Sequence, residues 1–132
     1  MAYYNSHCSQ CSKEVEVYFG DRTMGKELIH SFSMYCENCG AGWEADGHGK
    51  LEPKYRAIVF KQEGVWELKL KVKEELGKAL LVLKNIENLA IQDLTSIKTF
   101  FPFLYEGTKA EMEFISYWLT EKDIKHELIE KA

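Results

Sequence analysis

Two cysteine pairs, Cys8-Ser-Gln-Cys11 and Cys36-Glu-Asn-Cys39, constrain this chain more than any other feature. A two-residue spacer lets one tight turn direct both sulfurs at the same point. Two such turns facing each other supply four thiolates at tetrahedral angles. The sequence holds four cysteines in all, so the set closes with none left over. The expectation is one structural Zn²⁺ held by Cys8, Cys11, Cys36 and Cys39. Four sulfurs fill every position of a tetrahedral ion and leave no place for the water that a catalytic zinc activates. Two disulfides would require an oxidising compartment, and residues 1–7 lack the apolar stretch of a secretory signal. A redox pair needs only one Cys-x-x-Cys, set in a strand–helix unit that neither pair has. His7, beside Cys8, reads as a surface residue.

Between the pairs, two extended runs are expected. Glu14-Val-Glu-Val-Tyr-Phe alternates polar and apolar residues until Gly20-Asp21 breaks it, and Leu28-Ile-His-Ser-Phe-Ser-Met-Tyr runs straight into Cys36. Gly40 follows the second pair, where a left-handed residue helps the backbone donate to a sulfur; Ser12 holds the equivalent place after the first. Over about residues 5–48 this pattern resembles a zinc ribbon. So small a piece buries too little apolar surface to fold alone, and metal binding supplies much of its stability. Residues 44–53, with Gly47, Gly49 and Pro53, read as a turn-rich boundary in which Asp46 and His48 are solvated. Tyr55, Ile58, Val59 and Gln62 then recur at helical spacing before Gly64, a short helix joining two parts. The expected division is a 1–50 ribbon, a 51–64 helical linker and a 65–132 domain.

The remainder lays out as strand, two helices, strand, helix, strand. Trp66, Leu68, Leu70 and Val72 alternate with Glu67, Lys69, Lys71 and Lys73. Leu80, Leu81, Leu83 and Ile86 make a first helix, and Ile91, Leu94 and Ile97 a second, ended by Phe100, Phe101 and Pro102. Phe103-Leu-Tyr is a short strand. Thr108 and Glu111 have the spacing of a capping box opening a third helix through Met112, Ile115 and Leu119, and 125–129 closes with a strand. The wording of Val82-Leu-Lys-Asn-Ile, of residues 88–98 and of residues 106–119 resembles the C-terminal domain of the bacterial ribosomal stalk protein, over about 66–129. That family uses basic residues on its first two helices to bind translation GTPases. Lys84 keeps one such position, but Glu87 and Gln92 stand where the family has an arginine and a lysine. Reversal of charge within a steering patch repels an acidic partner, so the resemblance implies the fold without the translational partner. The fold class is therefore α+β, a small β zinc ribbon followed by a β-α-α-β-α-β domain.

Charge narrows the function. The first 50 residues carry four Lys/Arg against seven Asp/Glu, and the whole chain is at −4. Phosphate binding needs a basic stripe; here Lys13, Arg22 and Lys26 are outnumbered by Glu14, Glu16, Asp21 and Glu27. No phosphate loop, Gly-x-Ser-x-Gly or His-Glu-x-x-His occurs, and His7, His30, His48 and His126 are scattered. No apolar run approaches the 18 residues of a membrane span. Trp66, Phe100, Phe101, Phe103 and Trp118 take core-like positions, whereas Tyr3, Tyr4 and Trp43 suit a contact patch. The reading is a cytoplasmic, bacterial, non-catalytic module of the adaptor or toxin-immunity type, whose partner is another protein, a basic one suiting its acidic surface. The runner-up is a nucleic-acid-binding zinc ribbon of transcription or translation, with the Lys69–Lys71–Lys73 row in its favour.

Overall fold

The computed structural model describes residues 1–131, which form two antiparallel sheets and four α-helices divided between two compact units, Met1–Glu63 and the part from Gly64 onward. No helix among the described residues is long and apolar enough to cross a membrane.

The first unit is a four-stranded meander, β1 (Ala2–His7), β2 (Glu14–Met24), β3 (Glu27–Tyr35) and β4 (Gly42–His48), in spatial order β1-β2-β3-β4. Gly20-Asp21 does not end β2, contrary to the sequence reading. Gly20 pairs with Ser31 and Asp21 with His30, so the ladder continues. The reversal comes at Gly25-Lys26, a two-residue loop with Gly25 at φ 61, where a type II′ hairpin turn demands glycine. β1 and β4, outside the cysteine pairs, were not expected as strands. Asp46 and His48 consequently lie on an edge strand and not in a turn. β4 is strand by virtue of its partner: Gly47 faces His30, and a Cβ at Gly47 would collide with that imidazole.

One face of this sheet is filled. Ala2, Phe19, Leu51 and Val59 are buried together, with Tyr4, Phe32, Tyr55 and Ile58 packed around them. Phe19 and Phe32 stack at 5.3 Å, and Tyr55 meets Phe32 edge-on at 4.8 Å. Tyr55, Ile58 and Val59 come from α1 (Pro53–Glu63), which explains why this helix belongs to the first unit and is no free linker. From the next turn, Gln62 binds the β1 edge in both directions. Its Oε1 accepts from the Tyr3 amide at 3.1 Å and its Nε2 donates to the Tyr3 carbonyl at 2.9 Å, which blunts an otherwise open edge. Tyr4 is thus part of the core and not of a contact patch.

The second unit runs β5 (Trp66–Leu70), a 3₁₀ turn (Lys73–Glu75), α2 (Leu76–Glu87), α3 (Ile91–Lys98), β6 (Phe103–Gly107), α4 (Lys109–Glu121) and β7 (His126–Glu130). The sheet order is β6-β5-β7, all antiparallel. Its core joins Leu68 and Leu70 of β5 to Ala79 and Leu83 of α2 and to Met112, Ile115 and Leu119 of α4. α4 opens on a reciprocal capping box: the Glu111 amide donates to Thr108 Oγ1 at 3.1 Å, and the Thr108 amide donates to Glu111 Oε1 at 3.2 Å. Two of the aromatics read as core are not. Phe100, just past the end of α3, is 67% exposed, and Phe103 is 39% exposed because on β6 its neighbour Leu104 takes the inward place.

Candidate metal centre

The two cysteine turns are near copies of each other. In the first, the Cys8 amide donates to the Lys13 carbonyl at 2.8 Å and the Ser12 amide to the Cys8 carbonyl at 2.9 Å. In the second, Cys36 donates to Ala41 at 2.8 Å and Gly40 to Cys36 at 2.8 Å. Each turn closes on a left-handed residue, Ser12 at φ 66 and Gly40 at φ 79. Glycine adopts that conformation freely, whereas Ser12 does so at a steric cost that its turn must offset. β1 leads into the first turn and β2 leaves it; β3 leads into the second and β4 leaves it. The meander therefore brings together two turns that lie 25 residues or more apart.

Their four sulfurs meet. Cys8 Sγ lies 3.6 Å from Cys39 Sγ, and Cys11 Sγ 3.6 Å from Cys36 Sγ. All four atoms fall within 4.8 Å of one another, so the group can hold one metal ion. Cys8 and Cys36 are buried over Val15, Val17 and Met34, while Cys11 is half-buried and Cys39 exposed. The centre therefore has a dry floor and an open rim.

Backbone amides supply the electrostatics. The amides of Cys11 and Gln10 hold the Cys8 thiol below its ordinary value, Gln10 N at 3.4 Å from the sulfur. The Lys13 amide, followed by the Asn38 side chain, lowers Cys11 to about 6. The Ala41 amide also favours the Cys39 thiolate, but partial desolvation of its sulfur within the cluster and the three neighbouring thiols outweigh it and push Cys39 up to about 12. Four thiols packed together cannot all ionise without a cation between them, and the last proton is the one a metal must displace. The sequence marked backbone donation to sulfur only through Gly40; which amides donate (Gln10, Lys13, Ala41) and the part of the Asn38 side chain follow from the turns' dihedral angles and were not legible.

None of the four histidines joins the sulfurs. His7 is exposed at the end of β1. His30 donates from Nδ1 to the Gly49 carbonyl at 2.9 Å, and His48 lies 3.7 Å from Glu27 on the surface. His126 Nδ1 donates to the Ile124 carbonyl at 2.7 Å, which leaves Nε2 to accept from the Ser116 hydroxyl at 2.6 Å. This serine–histidine pair ties α4 to β7. Comparison with protein-family models, with curated proteins and with solved structures yields no match.

Proposed function

We propose that the chain is a non-catalytic protein-interaction module, of the adaptor or toxin-immunity kind, whose first unit is a zinc ribbon built on one structural Zn²⁺. The carrying observation is the closed set of four sulfurs. A tetrahedral ion with Zn–S bonds of about 2.3 Å has sulfur–sulfur edges of about 3.8 Å, close to the 3.6 Å separations. All-thiolate ligation favours a soft ion over Mg²⁺ or Ca²⁺. With every position taken by protein, the ion's role is to hold the two turns together.

The interaction reading rests on what the units leave outside. Tyr18 and Trp43 are each 43% exposed and Tyr35 67%, all in the first unit. The nucleic-acid alternative loses its main support, because Lys69 faces Glu127 at 3.9 Å and Lys71 and Lys73 lie beyond the end of β5. For the second unit, the order β5, α2, α3, β6, α4, β7 supports the resemblance to the stalk domain as a fold, with Glu87 and Gln92 set against a translational partner. The test has two arms. Metal analysis of purified protein should find one zinc per chain, lost in Cys36→Ser. Capture from lysate should recover a stoichiometric protein that resists nuclease; recovery that nuclease abolishes would refute the reading.

A further inference from the structure

The inner face of the first sheet is packed, but the outer face is open. Its ladders align Tyr3, Tyr18, Ser33 and Glu44 in one row across all four strands. Nearer the cysteine turns, Asn5 lies opposite Glu16 and Tyr35 opposite Gly42. Alternation places twelve residues of 3–7, 14–18, 31–35 and 42–46 on this face. Four of them are carboxylates, three are tyrosines and none is Lys or Arg; the next cation on this face, Arg22, lies four residues beyond Tyr18 along β2, away from the cysteine turns. A merely solvated strand face ordinarily mixes both signs of charge.

The face forms a groove of about 1290 Å³, to which the second cysteine turn adds Glu37 and Asn38 and the first adds one cation, Lys13. Among the described residues, Glu14, Glu37 and Glu44 are in no ion pair. The Tyr18 hydroxyl donates to Glu16, which fixes one ring on the groove floor, and that hydrogen bond raises the phenol's pKa. Tyr35, the last residue of β3 before the second cysteine turn, is largely exposed. The groove is larger and more open than a small-molecule pocket of roughly 300–1,000 Å³. Its charge repels phosphates and anionic lipid headgroups alike. What it complements is cationic and long. Guanidinium groups stack on tyrosine rings and pair with carboxylates in one geometry, and an extended chain presents such groups on alternate residues.

We infer that the outer face of β1–β4 is the docking surface for an extended, arginine- and lysine-rich segment of a partner protein. The inference rests on the interaction-module reading and adds to it the surface and the chemistry of the partner. Two probes test it on the full, zinc-loaded chain: a twelve-residue peptide alternating Arg and Ser, and its Glu/Ser counterpart. Amide NMR shifts should saturate with the first peptide, centre on Asn5, Glu16, Tyr18, Ser33 and Glu44, and be absent with the second. Glu16→Gln/Glu44→Gln should weaken binding about tenfold, as loss of two partly exposed charge pairs implies, with the first unit still folded by hydrogen exchange. Tyr35→Ala should weaken it severalfold. Shifts centred on the second unit, undiminished binding by the double variant, or a dimer of the chain that protects this face would each overturn the assignment. Failure of the underlying reading looks different. A chain that captures no protein refutes both ideas, whereas a captured partner that the double variant retains refutes the surface alone.

Discussion

Replacing Cys36 with serine should unfold the first unit and spare the second. Cys36 is 2% exposed and lies 3.6 Å from Cys11 Sγ, so the substitution removes a buried ligand and leaves three thiols around a hydroxyl. Structural zinc contributes on the order of 10 kcal/mol or more to small domains of this kind. A unit spanning Met1–Glu63 has a net stability of about 3–9 kcal/mol, at roughly 0.05–0.15 kcal/mol per residue. The metal term exceeds that net, so its loss leaves the meander unfolded at room temperature. The second unit has a separate core around Leu68, Leu83, Met112 and Ile115 and contains none of the four cysteines. Hydrogen exchange resolved by peptide is the assay. Protection in β2 and β3 should collapse in Cys36→Ser, and in wild type stripped with chelator, while protection in β5 and α4 persists. Full protection of β2 and β3 after verified zinc loss would refute the reasoning about the first unit. Collapse of β5 and α4 as well would refute the separation of the cores.

Other perturbations read different parts of the argument. Thr108→Ala removes the side-chain acceptor of the Glu111 amide at a site 1% exposed and should cost the second unit about 1–2 kcal/mol in urea denaturation. Gly47→Ala drives a Cβ into the His30 ring and should destabilise the zinc-loaded first unit by about 1–3 kcal/mol. Adding His30→Ala should recover part of that loss, and strict additivity would show that the two residues do not meet. Tyr18 is bonded to Glu16, which raises its pKa above 10. A raised folded-state value means that this contribution is whole below the unfolded pKa and disappears as pH climbs through the folded one. Ultraviolet titration of phenolate should show one tyrosine moving back toward 10 in Glu16→Gln, and an unchanged titration would break the assignment.

The four-sulfur cluster was legible in the sequence because it is written in local spacing. Cys-x-x-Cys confines two sulfurs to one turn whatever surrounds it, and Gly40 marks the left-handed exit. The capping box at Thr108 and the helix face of Tyr55, Ile58 and Val59 were legible for the same reason, since their partners lie within one or two helical turns. The edge strands were not. β4 reads as turn by composition, with Gly42 and Gly47 inside it and Gly49 just after, and becomes strand only because β3 offers it a ladder and His30 requires a glycine opposite. The helix over residues 53–63 showed its apolar face in the sequence, but nothing local says that the face lies on Phe19 and Phe32. Strand pairing and side-chain burial are set by residues distant along the chain, so tertiary structure alone decided that one face of the first sheet is filled and the other left open, acidic and lined with tyrosines.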